Sequence, residues 1–308
     1  MTNKSGCLIS AQMCEKGMKK YAIYTACIGG YDNILQPEII DERFDYILFT
    51  DDVKVDRIGV WQVRKIGYYN SNTIRIARYV KTHPEELLND YHATLWLDAN
   101  IQIVSSQVYE RIYELYSQGI EIASVTHPTR DCVYDEAYEL MRMKWEHDYV
   151  LFRWCSKMIR EGFPPHYGMY ETNILYRRNT AKMKEFDELW WNCISKNSYR
   201  DQMSCTYSLW KCDIDRYYFL PQGESVWNTS VFRYIWHPDA SFKKKSVNLY
   251  RFENIRWRIR HELKEDKDLY KKIYFRLYRY PFSPLMLYVR EMVDLFWLVL
   301  YKLQKRNK

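Results

Sequence analysis

The chain has 308 residues, 47% of them hydrophobic, enough for one large domain or two small ones and too apolar for a disordered chain. Its net charge of +7 is uneven: residues 241–308 carry +11 and the other 240 carry −4. A mildly acidic body with a basic tail excludes a nucleic-acid binder built around one basic face.

Eight cysteines occur with no C-x-x-C pair. That spacing argues against a zinc site or a disulfide framework and for reduced thiols in a cytosolic setting. Residues 1–18 read as a flexible leader with no apolar run of signal-peptide length, and nothing before the tail is long enough to span a bilayer. Aromatics make up 17% of the chain; a large core explains them first, and stacking on sugars or bases second.

In chain order, KKYAIYTACIGGYDN predicts a strand running into a Gly-Gly turn. FDYILFTDD is a second strand ending in Asp51 and Asp52, which are expected to contact the nucleotide with the end of the first strand, and WQVRKIG a short third. SNTIRIARYVKTHPEELL has helical periodicity, bent or ended at Pro84. ATLWLDANIQI reads as one strand, SSQVYERIYELYSQG as a helix closed by Gly119, and EIASVTHP as a strand. Helices are expected through CVYDEAYELMRMK, NTAKMKEFDELWWNCISKN and SYRDQMSCTYSLWK, with strands at the end of GFPPHYGMYETNILYRR and in DIDRYYFLP. Strands alternating with helices predict an α/β domain over 19–240 with a mainly parallel sheet, whose ligands sit at the C-terminal strand ends.

Several constellations there carry chemistry. Two residues apart on a strand, Asp98 and Asn100 point to one side, and their hard oxygens suit Mg²⁺ or Mn²⁺; the alternative is a cap and a turn. Glycines after the first strand let backbone approach a nucleotide near Thr25, Ala26 and Tyr31, or make a plain turn. Arg75, Arg78 and Lys81 share a helix face, either for phosphates or as a solvated stripe. His127, Arg130 and Asp131 crowd a strand-to-helix junction and read as substrate contacts, although Asp131 also fits a helix cap. Ser198 and Asp201 fit S-x-x-D, a relative of the capping box; an acid there also suits a general base. His237 stands after the last strand as a late metal ligand or an ordinary surface or core residue.

Taken together, YTACIGGYD, FTDD, WLDANIQI, HPTRDCVYDEA, GMYETNILYRR and SYRDQMS resemble, in order and spacing, a glycosyltransferase-like family of bacteria and plants once catalogued as a domain of unknown function. It is related to the GT-A nucleotide-sugar transferases, and the order is similar to that of the family 8 glycosyltransferases. The resemblance runs from about residue 19 to about residue 239; Ala99 stands where the family's W-[IL]-D-G-N stretch has glycine. It implies a GT-A fold, a UDP-sugar donor, a glycan or lipid-linked acceptor, and Mn²⁺ or Mg²⁺ at Asp98, Asn100 and His237. Glu171, Asn173 and Asp201 would line the donor-sugar and acceptor site. An inverting reaction needs a base, Asp201 first and Glu171 second. A retaining one needs none, and Asn173 or Glu171 would steady the oxocarbenium-like transition state. Capsule or lipopolysaccharide assembly is the expected setting. The rival readings are a metal-dependent hydrolase using His127, Asp131 and His237, and a non-catalytic sugar-binding protein.

The tail, 241–308, mixes basic residues with aromatics and ends in the apolar LMLYVREMVDLFWLVLYKL. It reads as an interfacial helical anchor on the anionic cytoplasmic membrane face, or as helices that pack on the body or on a second copy in a homo-oligomer.

Overall fold

The computed structural model describes residues 21–51, 54–143 and 145–237. The expected leader, the tail and Asp52 lie outside the described residues. The chain opens with β1 (Tyr21–Cys27), β2 (Phe44–Thr50), β3 (Arg57–Ile58) and β4 (Trp61–Arg64), followed by α1 (Thr73–Thr82) and α2 (Pro84–Leu87). Next come β5 (Ala93–Leu97), β6 (Ile101–Ile103), α3 (Gln107–Ser117), β7 (Ile122–Thr126), α4 (Val133–Met143) and α5 (Asp148–Arg160). Then follow β8 (Tyr170–Arg178), α6 (Ala181–Lys196), α7 (Gln202–Lys211), β9 (Tyr217–Tyr218) and β10 (Phe232–Tyr234).

Eight strands form one sheet in the order β3-β4-β2-β1-β5-β8-β7-β9. β4, β2, β1 and β5 run parallel, β9 runs parallel to β7, and β8 lies antiparallel between β5 and β7. This mainly parallel, Rossmann-like sheet is the GT-A arrangement that the alternation of elements predicts. β1 is buried at every position. Its Tyr21 and Ile23 pack with Tyr109 and Ile112 of α3 on one face; Ala22, Tyr24 and Ala26 pack with Val80 of α1 and Trp190 of α6 on the other. Burial on both faces is why the strand reads as a nearly continuous apolar run. A third cluster joins α4, α5 and α7 through Leu140, Trp154, Met158 and Tyr207.

ATLWLDANIQI is two strands rather than one. β5 stops at Leu97, and residues 98–100 turn, with the Ile101 N–H donating to the Asp98 carbonyl at 2.9 Å. β6 then leaves the main sheet and pairs antiparallel with β10. Asp and Asn favour turns because their side chains compete with the ladder for backbone groups. So Asp98 and Asn100 are turn residues, not neighbours on one strand face.

Asn72 caps α1, accepting the Ile74 N–H at 3.0 Å. The helix stops at Thr82, and Pro84 opens α2, because proline tolerates a first turn but not a helix interior. Arg75 reaches across to the last turn of α6, donating Nη1 to the carbonyls of Ile194 at 3.0 Å and Ser195 at 2.9 Å. It closes a helix C-terminus, where a cation is favourable, and does not belong to a phosphate-binding stripe. Arg75→Leu is therefore expected to cost about 1.5–3 kcal/mol, read as a lower urea midpoint at unchanged m-value.

Candidate functional site

β8 runs antiparallel to β5, with Leu97 opposite Ile174. The start of β8 thus lies beside the end of β5, and the Asp98 N–H donates to the Asn173 carbonyl at 2.9 Å. This brings Glu171, Thr172 and Asn173 to the C-terminal rim of the parallel strands.

Lys81, near the end of α1, is completely buried beneath that rim. Its Nζ donates to Asp201 Oδ2 at 2.5 Å, reaches Asp98 Oδ1 at 3.5 Å and lies 5.4 Å from the Trp96 ring centroid. Arg78, one turn earlier, meets Asp201 Oδ1 at 3.3 Å, and Thr172 Oγ1 donates to Asp201 Oδ2 at 2.9 Å. Asp98 Oδ1 also accepts from Trp96 Nε1 at 2.7 Å. Arg78 and Lys81 are therefore neither a solvated stripe nor free phosphate ligands; they form a buried charge cluster with two acids.

Asp201 opens α7 without capping it. Ser198 Oγ accepts from the Arg200 N–H at 3.1 Å and donates to Glu146 at 3.0 Å, so S-x-x-D makes no capping box here. Burial alone would raise the Asp201 pKa, but the charges of Arg78 and Lys81 and the bonds from Lys81 and Thr172 outweigh it and hold the carboxyl well below the usual range. So strongly paired a carboxylate is a poor proton acceptor. The first-choice base from the sequence is instead the anchor of the cluster.

Glu171 has the opposite electrostatics. Burial lifts its pKa, Trp227 and Asn173 partly offset this, and the Asp98 charge adds to the rise. Trp227 Nε1 donates to Oε1 at 3.1 Å, while Oε2 and the Asn173 side-chain oxygen are buried with no hydrogen-bond partner. Thr25 Oγ1 is also buried and unpartnered; Thr25 lines a small cavity with Trp61, Leu97, Asp98 and Ala99.

Beyond β1, Gly29 and Gly30 adopt φ of +68° and +62°, conformations that side chains disfavour. The Gly29 N–H donates to Asp51 at 2.8 Å, so Asp51 holds the turn. Ala26 is a core residue on the α1 side. The Tyr31 ring stands 4.7 Å from that of His237, whose Nδ1 faces Asp32 at 2.5 Å.

The expected metal set is thus dispersed among other partners. Asn100 is buried, and its carbonyl accepts the Ile235 N–H at 2.9 Å. Among the described residues, the His, Cys, Asp and Glu ligand atoms that gather within 4.8 Å of one another belong to Cys132, Asp135 and His166 instead. The chemistry of the rim still fits a hard cation. The unpartnered Glu171 and Asn173 oxygens are hard donors of the kind that Mg²⁺ or Mn²⁺ takes.

The 127–131 junction is structural. His127 Nδ1 accepts the Arg130 N–H at 3.1 Å, and Arg130 Nε donates to buried Glu136 at 2.6 Å. Burial, aided by the Arg130 charge, pushes the His127 pKa down to about 4. Asp131 pairs with His166 at 2.8 Å. His127, Asp131 and His237 therefore serve three different partners, and the hydrolase arrangement is not formed.

Sequence reasoning missed Thr172, Trp227 and Tyr234. Thr172 sits inside the quoted YETN; Trp227 and Tyr234 lie in no motif, and only the pairing of β6 with β10 carries that segment to the rim.

The strand order, with an antiparallel β8 delivering Glu171 and Asn173 to the end of β5, defines a GT-A glycosyltransferase-like protein. The family model described as TOD1/MUCI70, glycosyltransferase-like domain, matches residues 2–222, and the chain belongs to that family. His237 lies beyond the matched span. No curated protein matches the chain.

Asp201→Ala leaves Lys81 buried against one distant acid and is expected to cost about 3–5 kcal/mol; replacing both partners with apolar residues, Lys81→Met with Asp201→Leu, should recover most of that in chemical denaturation. His127 binds its proton more weakly folded than unfolded. Its contribution is complete above about pH 6.5 and falls as pH drops toward about 4. His127→Asn keeps an acceptor at the turn without a titrating ring, so its stability should depend less on pH across that window.

Proposed function

We propose that this chain transfers a sugar from a nucleoside-diphosphate sugar, a UDP-sugar first among them, to a hydroxyl on a glycan or lipid-linked acceptor in bacterial surface polysaccharide assembly. One observation carries the reading: in a chain of a glycosyltransferase-like family, Glu171, with one carboxylate oxygen bound by Trp227 and the other unpartnered, stands beside Asp98 at the strand ends.

The Gly29–Gly30 turn lets the donor's nucleotide approach the backbone, with Thr25 and Tyr31 beside it. Asp98, Asn100 and His237 would have to turn from their present partners, Asp98 from Lys81 and Trp96 and His237 from Asp32, to hold Mn²⁺ or Mg²⁺, which supplies charge neutralisation to a departing diphosphate. Glu171 is the proton acceptor. It takes the acceptor's hydroxyl proton as that oxygen bonds to the anomeric carbon; the bond from that carbon to the diphosphate breaks, and the electron pair leaves with the diphosphate. Asn173 orients the sugar. Exposed Trp227 and Trp236, with Tyr234 packed between them at ring distances of 4.1 and 5.3 Å, offer apolar faces for the acceptor glycan. The basic tail at 241–308 would hold the enzyme on the cytoplasmic membrane face.

Transfer is tested with UDP- and GDP-sugars against oligosaccharide acceptors, the product linkage being read by NMR. Glu171→Gln should lower kcat by about 10²–10⁴ at a similar donor KM and abolish the ascending limb of the pH profile. Wild-type-like transfer by that variant, or no transfer from any donor, would overturn the reading. For the tail, the full chain should float with anionic vesicles and a chain ending at residue 239 should not; equal flotation removes the anchor.

A further inference from the structure

We infer a second metal site, built for zinc, at Cys132, Asp135 and His166. Their ligand atoms lie within 4.8 Å of one another. Cys132 stands at the start of α4, its carbonyl accepting the Glu136 N–H at 3.1 Å, and Asp135 lies in the first turn. A separation of three places both side chains on the same side of the helix. His166 comes from the loop between α5 and β8. Its Nδ1 pairs with Asp131 Oδ1 at 2.8 Å, which leaves Nε2 to ligate and supplies the carboxylate–histidine contact that orients metal-bound imidazoles. The Gly168 N–H donates to the Asp131 carbonyl at 2.8 Å, so the two loops are already joined beside the three ligands.

Thiolate, carboxylate and imidazole together form a zinc donor set, and water completes a tetrahedron. Cys132 is buried, Asp135 half-buried and His166 48% exposed, so the ion enters from the His166 side. A thiolate suits Mg²⁺ and Mn²⁺ poorly, which separates this site from the oxygen-rich rim. With one cysteine and no C-x-x-C, the site escapes a search by cysteine spacing. Zinc there would tie the loop after β7 to the loop that delivers Glu171 and Asn173, and its binding energy would add to the stability of both.

The test titrates chelator-stripped full-length chain with Co²⁺ and then Zn²⁺. We expect one cobalt with a near-ultraviolet thiolate-to-metal band, displaced by zinc with a rise in Tm. Cys132→Ser should lose the band. His166→Asn alters an exposed residue and suits its left-handed φ of +54°, so it should fold; it should weaken zinc binding beyond the factor of about 100 that an outer-shell change reaches, and Asp131→Asn by about 10–100-fold. Absence of the thiolate band, its survival in Cys132→Ser, or unchanged zinc affinity in His166→Asn would overturn the proposal. The cobalt band and the zinc affinity are read without any sugar transfer, so their failure is distinguishable from failure at the strand ends, whose ligands include no thiol.

Discussion

The rim depends on one buried cation. Lys81 has no contact with water, so its charge must be met within the protein, and Asp201 and Asp98 meet it. Desolvating an ammonium costs several kcal/mol, which only close carboxylates offset. That requirement fixes the end of α1, the start of α7 and the turn after β5 relative to one another. The backbone of Lys81 is held as well: its carbonyl accepts from Tyr24 and from Arg177, which is paired with Asp187. The turn bearing Asp98 is thus mounted on rigid elements, as a site needs for precise placement.

The cluster also sorts the acids. Asp201 is consumed by two cations and stays ionised, while Glu171 is half-buried, lifted in pKa and bound on one oxygen only. Two carboxylates a short distance apart in the fold thereby acquire different tasks through their surroundings alone. The antiparallel β8 is what permits this. A parallel strand in its place would present its far end to Asp98 and carry Glu171 to the opposite edge of the sheet.

Much of this was legible before the fold was known. Alternating strands and helices gave the parallel sheet, Pro84 divided α1 from α2, and the ordered motifs pointed to the glycosyltransferase-like family. The polar groups at Asp98, Glu171 and Asn173 do meet at the strand ends. What misled were local patterns read without their neighbours. Arg75, Arg78 and Lys81 share a helix face, yet that face packs on α6 and α7, so spacing could not distinguish a phosphate stripe from a helix closure and buried ion pairs. Asp201 looked like a cap or a base because its burial and its cations come from α1, about 120 residues away in sequence. Asp98 and Asn100 were placed on one strand because the apolar residues on either side hide the change of sheet. Trp227 and Tyr234 were invisible because their role arises only when β10 pairs with β6.

The account turns on whether the acid-rich rim receives a diphosphate together with a divalent cation. Isothermal titration of UDP and GDP into the full chain, with and without Mn²⁺, for wild type and Asp98→Ala, tests this directly. Asp201 continues to neutralise Lys81 in that variant, so the fold should persist. Manganese-dependent binding of one nucleotide that Asp98→Ala weakens at least tenfold is the predicted result, since the loss of one good electrostatic contact is about 1.4 kcal/mol or more. Binding that ignores both the metal and the substitution, or no binding of either nucleotide, would contradict it.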